Sequence, residues 1–123
     1  MASPRHILVV DDDPAIQGAI SLLLEREGFS VTCASNGAEA LRALRAGDDP
    51  ALILLDLMMP VMNGQELRRA LQGDPGLVGI PVVVLSATPG DEVRADLLPP
   101  RAVMPKPFDI DELLAVVERH RLH

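Results

Sequence analysis

Ala51-Leu52-Ile53-Leu54-Leu55 is an unbroken apolar run, and it stops abruptly at Asp56. A strand with one face in water alternates apolar and polar residues. A strand covered on both faces need not alternate, so this run reads as a central strand of a parallel sheet. His6-Ile7-Leu8-Val9-Val10 and Pro81-Val82-Val83-Val84-Leu85 read the same way. Two further runs, Ser30-Val31-Thr32-Cys33-Ala34 and Ala102-Val103-Met104, complete the set.

Helical patterns fill the intervals. Ile16, Ile20, Leu23 and Leu24 form one apolar stripe, and Ala40, Leu41 and Leu44 a second. Leu67, Ala70 and Leu71 form a third, and Ile110, Leu113, Leu114 and Val117 close the chain. Asp13-Pro14 reads as an N-cap followed by proline at the first helical position. Gly28 and Gly47 fit helix stops, and Gly64 reads as a turn glycine of positive φ. The stretch from Pro89 to Leu98 has the weakest helical signal, because it opens on Pro89-Gly90 and runs into Pro99-Pro100. Five strands alternating with five helices predict a doubly wound α/β fold with a short or irregular fourth helix. In such sheets ligands bind beyond the carboxyl ends of the strands.

The chain of 123 residues is expected to be one domain spanning 1–123, with no repeat or linker. No apolar run approaches the ~20 residues of a membrane helix. The opening residues have no signal-peptide anatomy, and a lone cysteine excludes an internal disulfide. The expected location is therefore the cytoplasm, with no membrane partner. A net charge of −7 argues against direct nucleic-acid binding, which favours a basic face. Cys33 reads as packing, and Met58, Met59 and Met62 as core or turn residues. His6, His120 and His123 read as surface or strand-edge residues without a metal role. Arg119 and Arg121 suit the last turn of a helix.

The strand ends carry the chemistry. The first strand ends in Asp11-Asp12-Asp13, the third in Asp56 and the fourth in Ser86, and Lys106 follows the fifth closely. A parallel sheet gathers all of these at one edge. Carboxylates crowded there repel one another, and a hard divalent cation such as Mg²⁺ relieves the repulsion through oxygen ligands. Asp13 reads as a cap rather than a ligand. A carboxylate beside a cation, a lysine and a hydroxyl is suited to phosphoryl transfer, which demands mainly positioning and charge neutralisation. The carboxylate can itself be the nucleophile and form an acyl phosphate.

Four strings, Val9-Val10-Asp11-Asp12-Asp13-Pro14, the stretch from Leu55 to Gly64, Leu85-Ser86-Ala87 and Lys106-Pro107-Phe108, together resemble response-regulator receiver domains of two-component signalling. The resemblance covers the whole chain. It implies a flavodoxin-like (βα)5 fold with strand order 2-1-3-4-5. It makes Asp56 the phosphorylation site, fed by a sensor histidine kinase or a histidine phosphotransfer protein. It implies Mg²⁺ held by Asp12 directly, by Asp11 directly or through water, by Asp56 and by the backbone carbonyl of Met58. Ser86 becomes the switch hydroxyl, Lys106 the partner of the phosphoryl group, and the Lys106-Pro107 peptide cis. The receiver would signal to an effector protein or a fused output domain. It would not be a conventional enzyme, although it would catalyse its own phosphorylation and slow dephosphorylation.

The sequence departs from the family in three places. The position three residues before Lys106, usually an aromatic switch residue, is Val103. The segment from Ser86 to Val103 is about two residues shorter than is typical, by comparison with the resembled pattern, which leaves the oligomeric state open. The positions that commonly tune dephosphorylation are Met58 and Thr88, and neither readily orients an attacking water. A long-lived phosphoryl group is expected. Two other readings stand beside this one. An aspartyl phosphatase of the haloacid-dehalogenase type would use Asp11 as its nucleophile but leaves the Asp56 string unexplained. A receiver-fold interaction module would act without phosphate.

Overall fold

The computed structural model describes residues 3–59, 62–86, 90, 93 and 96–122. The elements run β1 (Ser3–Val10), α1 (Pro14–Arg26), β2 (Ser30–Ala34), α2 (Gly37–Arg45), β3 (Pro50–Asp56), α3 (Gly64–Gln72), β4 (Val82–Ser86), β5 (Ala102–Pro105) and α4 (Ile110–His120). All neighbouring strands are parallel, in the order β2-β1-β3-β4-β5. This is the predicted doubly wound sheet.

Side chains alternate across a strand, so each apolar run feeds two cores. Ile7, Val9, Leu52, Leu54, Val83 and Leu85 pack with Ile20 and Leu24 of α1 and Leu113 and Val117 of α4. Leu8, Val10, Ile53 and Leu55 pack on the other face with Ala40, Leu41 and Leu44 of α2 and Leu67 and Leu71 of α3. Every residue of β3 is buried, which is why its sequence has no polar alternation. Ile110, the first residue of the last stripe, is exposed.

The helix boundaries follow their capping residues. Asp13 caps α1 by accepting from the Ala15 amide, with Pro14 at the first position. Asn63 and Glu66 form a reciprocal capping box on α3. Gly28 and Gly47 take φ of +87° and +109° just past their helices. Gly64, however, does not adopt positive φ. A Cβ there would meet Leu57 Cα at 2.7 Å and the Asp56 carbonyl oxygen at 2.9 Å. Glycine is needed for close approach between α3 and the end of β3, and the positive φ falls on Met62 instead (+47°).

Four helices are found among the described residues, not five. Residues 90, 93 and 96–98, which belong to the expected fourth helix, are not helical, and the remainder of that stretch lies outside the described residues. Residues 96–98 instead run along α3. Arg69 pairs with Asp96 at 2.6 Å, and Gln72 Nε2 donates to the Asp96 carbonyl at 3.0 Å. The Leu98 amide donates to Gln72 Oε1 at 2.6 Å, and the Arg68 guanidinium donates to the Leu98 carbonyl at 2.9 Å. Leu97 is buried between these polar ties.

Three further expectations need correction. Cys33 is exposed on the edge strand, 3.0 Å from Ser21 Oγ, rather than packed in the core. Met58 is exposed, while Met59 is buried and Met62 is partly buried against the core. His6 is half-buried and hydrogen-bonded through both ring nitrogens. His123 lies outside the described residues. None of the described helices is long and apolar enough to cross a membrane.

Candidate functional site

The parallel register brings the predicted residues to one edge. Asp11 follows the last residue of β1, Asp56 ends β3, Ser86 ends β4 and Lys106 follows β5. Asp56 pairs in register with Leu85, and Ser86 with Pro105, so the polar groups stand on adjacent strand ends. The Lys106 amide donates to the Ser86 carbonyl at 2.8 Å, which carries the β4–β5 ladder one step past the sheet. The Lys106-Pro107 peptide is cis, as the resemblance implied.

One carboxylate oxygen from each of Asp11, Asp12 and Asp56 lies within 4.8 Å of the other two. Asp11 and Asp56 are buried, whereas Asp12 is exposed. Lys106 Nζ lies 3.4 Å from Asp56 Oδ2 and 3.5 Å from Asp11 Oδ2. Lys106 is also the only lysine in the chain, beside ten arginines. Asp11 Oδ1 accepts from the Asp13 amide at 2.9 Å, and Asp56 Oδ1 from the Met58 amide at 3.1 Å. These turn bonds leave the Oδ2 atoms facing Lys106.

Burial pushes the Asp11 carboxyl above its usual range, and the neighbouring Asp56 adds to this. The Asp13 amide and the Lys106 charge oppose the shift without cancelling it. Asp11 Oδ2 is buried and has no hydrogen-bond partner. Only the Lys106 ammonium at 3.5 Å offsets its charge, and a buried carboxylate oxygen without hydrogen bonds is costly. An all-oxygen donor set of this kind fits a hard divalent cation.

One positioning group was not anticipated from the sequence. Gln17 reaches back from α1, and its Nε2 donates to the Asp11 carbonyl and to the Ala34 carbonyl at 3.1 Å. It thereby ties the turn carrying Asp11 and Asp12 to the end of β2. The signal available was an amide on the face of α1 nearest the strand ends. Val103 lies in β5 and is partly buried, while Thr88 and Ala87 lie outside the described residues.

Comparison with known proteins agrees with this arrangement. A family model described as the response regulator receiver domain matches residues 7–118. Response regulator Rre1 of Synechocystis sp. is 38% identical over 120 residues, covering 95% of this chain and 52% of the relative. Response regulator MprA of Mycobacterium tuberculosis is 40% identical over 112 residues, covering 89% and 47%. The chain thus spans about half the length of the curated relatives it matches. Among solved structures, the chemotaxis response regulator CheY4 of Vibrio cholerae superposes with a TM-score of 0.84 at 27% identity, covering 95% of this chain and 98% of that one. The receiver domain of a Pseudomonas aeruginosa sensor histidine kinase, solved with magnesium coordinated in its active-site cleft, gives 0.84 at 27% identity, covering 96% and 98%. With the sheet order, the acidic edge and the family match in agreement, the chain belongs to the response regulator receiver domains of two-component signalling.

Proposed function

We propose that residues 1–123 form a phosphorylation-switched receiver in which Asp56 accepts a phosphoryl group from the phosphohistidine of a histidine kinase or histidine phosphotransfer protein. The observation that carries this is the convergence on Asp56: a buried carboxylate with Lys106 Nζ at 3.4 Å and the Asp11–Asp12 pair beside it. In the transfer, a carboxylate oxygen of Asp56 bonds to phosphorus as the phosphorus–nitrogen bond of phosphohistidine breaks, leaving an acyl phosphate. Lys106 balances charge on the transferred oxygens, and Ser86 supplies a hydroxyl to one of them. Asp11, Asp12, Asp56 and the Met58 carbonyl would hold Mg²⁺, which when bound neutralises developing charge on the phosphoryl oxygens. The Met58 amide orients Asp56 through its 3.1 Å hydrogen bond.

The new charge and hydrogen bonds then bias a two-state equilibrium read by an effector or a fused output domain. The domain works in the cytoplasm as a switch, without turnover of an external substrate beyond its own phosphorylation and slow dephosphorylation. In the phosphatase reading, Asp13 would serve as the second acid after Asp11. Its Oδ1 instead caps α1 at 2.9 Å from the Ala15 amide, which favours Asp56.

The test is incubation with acetyl phosphate and Mg²⁺, followed by intact-mass and peptide mass spectrometry. A phosphoryl adduct on Asp56, lost in Asp56→Asn and dependent on the divalent ion, is expected. An adduct that persists in Asp56→Asn and disappears in Asp11→Asn would establish the phosphatase-like reading. No adduct and no Mg²⁺ binding would leave a phosphate-independent interaction module.

A further inference from the structure

The opposite end of the sheet carries a second constellation. His6 on β1 and Ser30 on β2 are register partners, so their side chains stand together on one face. Ser30 Oγ lies 2.7 Å from His6 Nδ1. The other ring nitrogen, Nε2, lies 2.9 Å from Oδ1 of Asp48, which sits in the loop between α2 and β3. Thr32, two residues along β2, donates to Asp48 Oδ1 at 3.1 Å, and its Oγ1 is 3.0 Å from Nε2.

The partners decide the tautomer. A carboxylate only accepts, so the ring proton sits on Nε2, directed at Asp48. In the neutral ring Nδ1 then offers a lone pair, and the Ser30 hydroxyl donates to it. Hydroxyl, imidazole and carboxylate are linked in the order that activates an alcohol: the ring can take the proton, and the carboxylate steadies the resulting imidazolium. The two ring nitrogens serve in the opposite sense from the familiar serine-protease triad, but such triads are defined by geometry and role. The His6 and Asp48 side chains are only 15% and 20% exposed, while Ser30 is open to solvent. The nucleophile faces outward with its base and orienting group behind it. Asp48 Oδ2 is buried without a hydrogen-bond partner, while Oδ1 accepts from both the ring and Thr32.

We propose that Ser30 is a base-activated nucleophile that accepts an acyl or phosphonyl group from an activated donor, with His6 as the base and Asp48 as the orienting group. With a fluorophosphonate, the Oγ–phosphorus bond forms as the phosphorus–fluorine bond breaks. The hydroxyl proton passes to Nδ1, and fluoride leaves. The product is a seryl ester, and the proposal concerns its formation rather than turnover. Asp11 lies five residues beyond His6 along β1, roughly 16 Å at strand rise, so this site is separate from the carboxylate edge and does not depend on Asp56 chemistry.

The same four residues could act purely as a polar staple joining β1, β2 and the α2–β3 loop. Reactivity separates the two roles. The full chain is treated with an alkyl fluorophosphonate, which spares amines, and adducts are located by peptide mass spectrometry. A single major adduct on Ser30 is expected, absent in Ser30→Ala. Its rate should fall at least ~100-fold in His6→Gln, the loss of a general base. Ser35→Ala, at an exposed serine outside the constellation, should keep a rate within a few-fold of wild type. Thermal unfolding of each variant separates loss of reactivity from loss of fold. Labelling of Ser30 no faster than that of Ser35, an exposed serine, overturns the proposal. So does a Ser30 rate unchanged in a folded His6→Gln variant.

Discussion

Lys106 Nζ sits between Asp56 Oδ2 at 3.4 Å and Asp11 Oδ2 at 3.5 Å, so one ammonium separates two carboxylates that would otherwise face each other. Lys106→Met removes that charge and leaves two buried anions unscreened. Metal-free stability should fall by about 2 kcal/mol, less than for a fully buried pair because the lysine is partly solvated. Saturating Mg²⁺ should restore part of the loss. Urea unfolding with and without the ion checks both effects.

Asp11 should show the opposite sign. Its carboxyl is pushed up by burial, so between 3.8 and its folded value the native state binds more protons than the unfolded chain. Stability contributed by this group therefore falls as pH rises through that window, and the penalty is complete above the folded value. Asp11→Asn should raise the melting temperature of metal-free protein at pH 7 and flatten the acid side of its pH profile. The same variant should lose the stabilisation that Mg²⁺ gives the wild type. A neutral or lowered melting temperature in Asp11→Asn would mean that the carboxylate is already compensated.

Phosphoryl lifetime depends on whether any group can aim a water at the acyl phosphate. Met58 is exposed at 71% and offers only a thioether. Phosphorylated protein, freed of acetyl phosphate, should keep its adduct far longer than minutes. Met58→Asn places an amide at the rim of the site and should shorten that lifetime. Intact-mass time courses give both rates, and loss of the wild-type adduct within minutes would refute the first.

Gly64 is confined by backbone rather than by a flexible side chain. Gly64→Ala drives a Cβ toward Leu57 Cα and the Asp56 carbonyl, at 2.7 and 2.9 Å before relaxation. The expected cost is about 1–3 kcal/mol, as for other overpacked sites. The displaced group is the backbone of Asp56 itself, so acetyl phosphate labelling should slow even at temperatures where the variant stays folded. Chemical unfolding paired with labelling rates distinguishes a local shift from general destabilisation.

The segment before β5 is held by side chains of α3. Gln72→Ala removes both the acceptor for the Leu98 amide and the donor to the Asp96 carbonyl. Loss of about 1 kcal/mol of hydrogen bonding should speed exchange of the Leu98 amide roughly 5–10-fold. Amides of β3 should be unaffected. Hydrogen-exchange mass spectrometry or NMR reads the contrast.

The sheet was legible because its strands bury both faces, and Leu52 to Leu55 have no polar residue to disguise the run. The acidic edge was legible because a parallel sheet places every strand's carboxyl end on one side, so Asp11, Asp56 and Ser86 had to meet. Features that depend on what a residue approaches in space were misread. Gly64 was assigned positive φ from its place in a turn, but its reason is contact with Leu57. His6 looked like an isolated strand-edge histidine, because Asp48 is 42 positions away and belongs to a loop. The absence of a helix at residues 96–98 was foreshadowed by Pro99-Pro100, but no pattern indicated that α3 would hold that segment through Arg69 and Gln72.

Lys106 being the only lysine has a practical consequence for work at the bench. Amine-reactive biotin, fluorophores and cross-linkers have no other side chain to modify, so labelling that reaches beyond the chain's N-terminus falls on the groove where Lys106 meets Asp11 and Asp56. A tagged or surface-coupled sample prepared this way would go into an assay with that groove blocked, and an inert result would describe the reagent rather than the protein. Attachment through Cys33, exposed on the edge strand, avoids the groove.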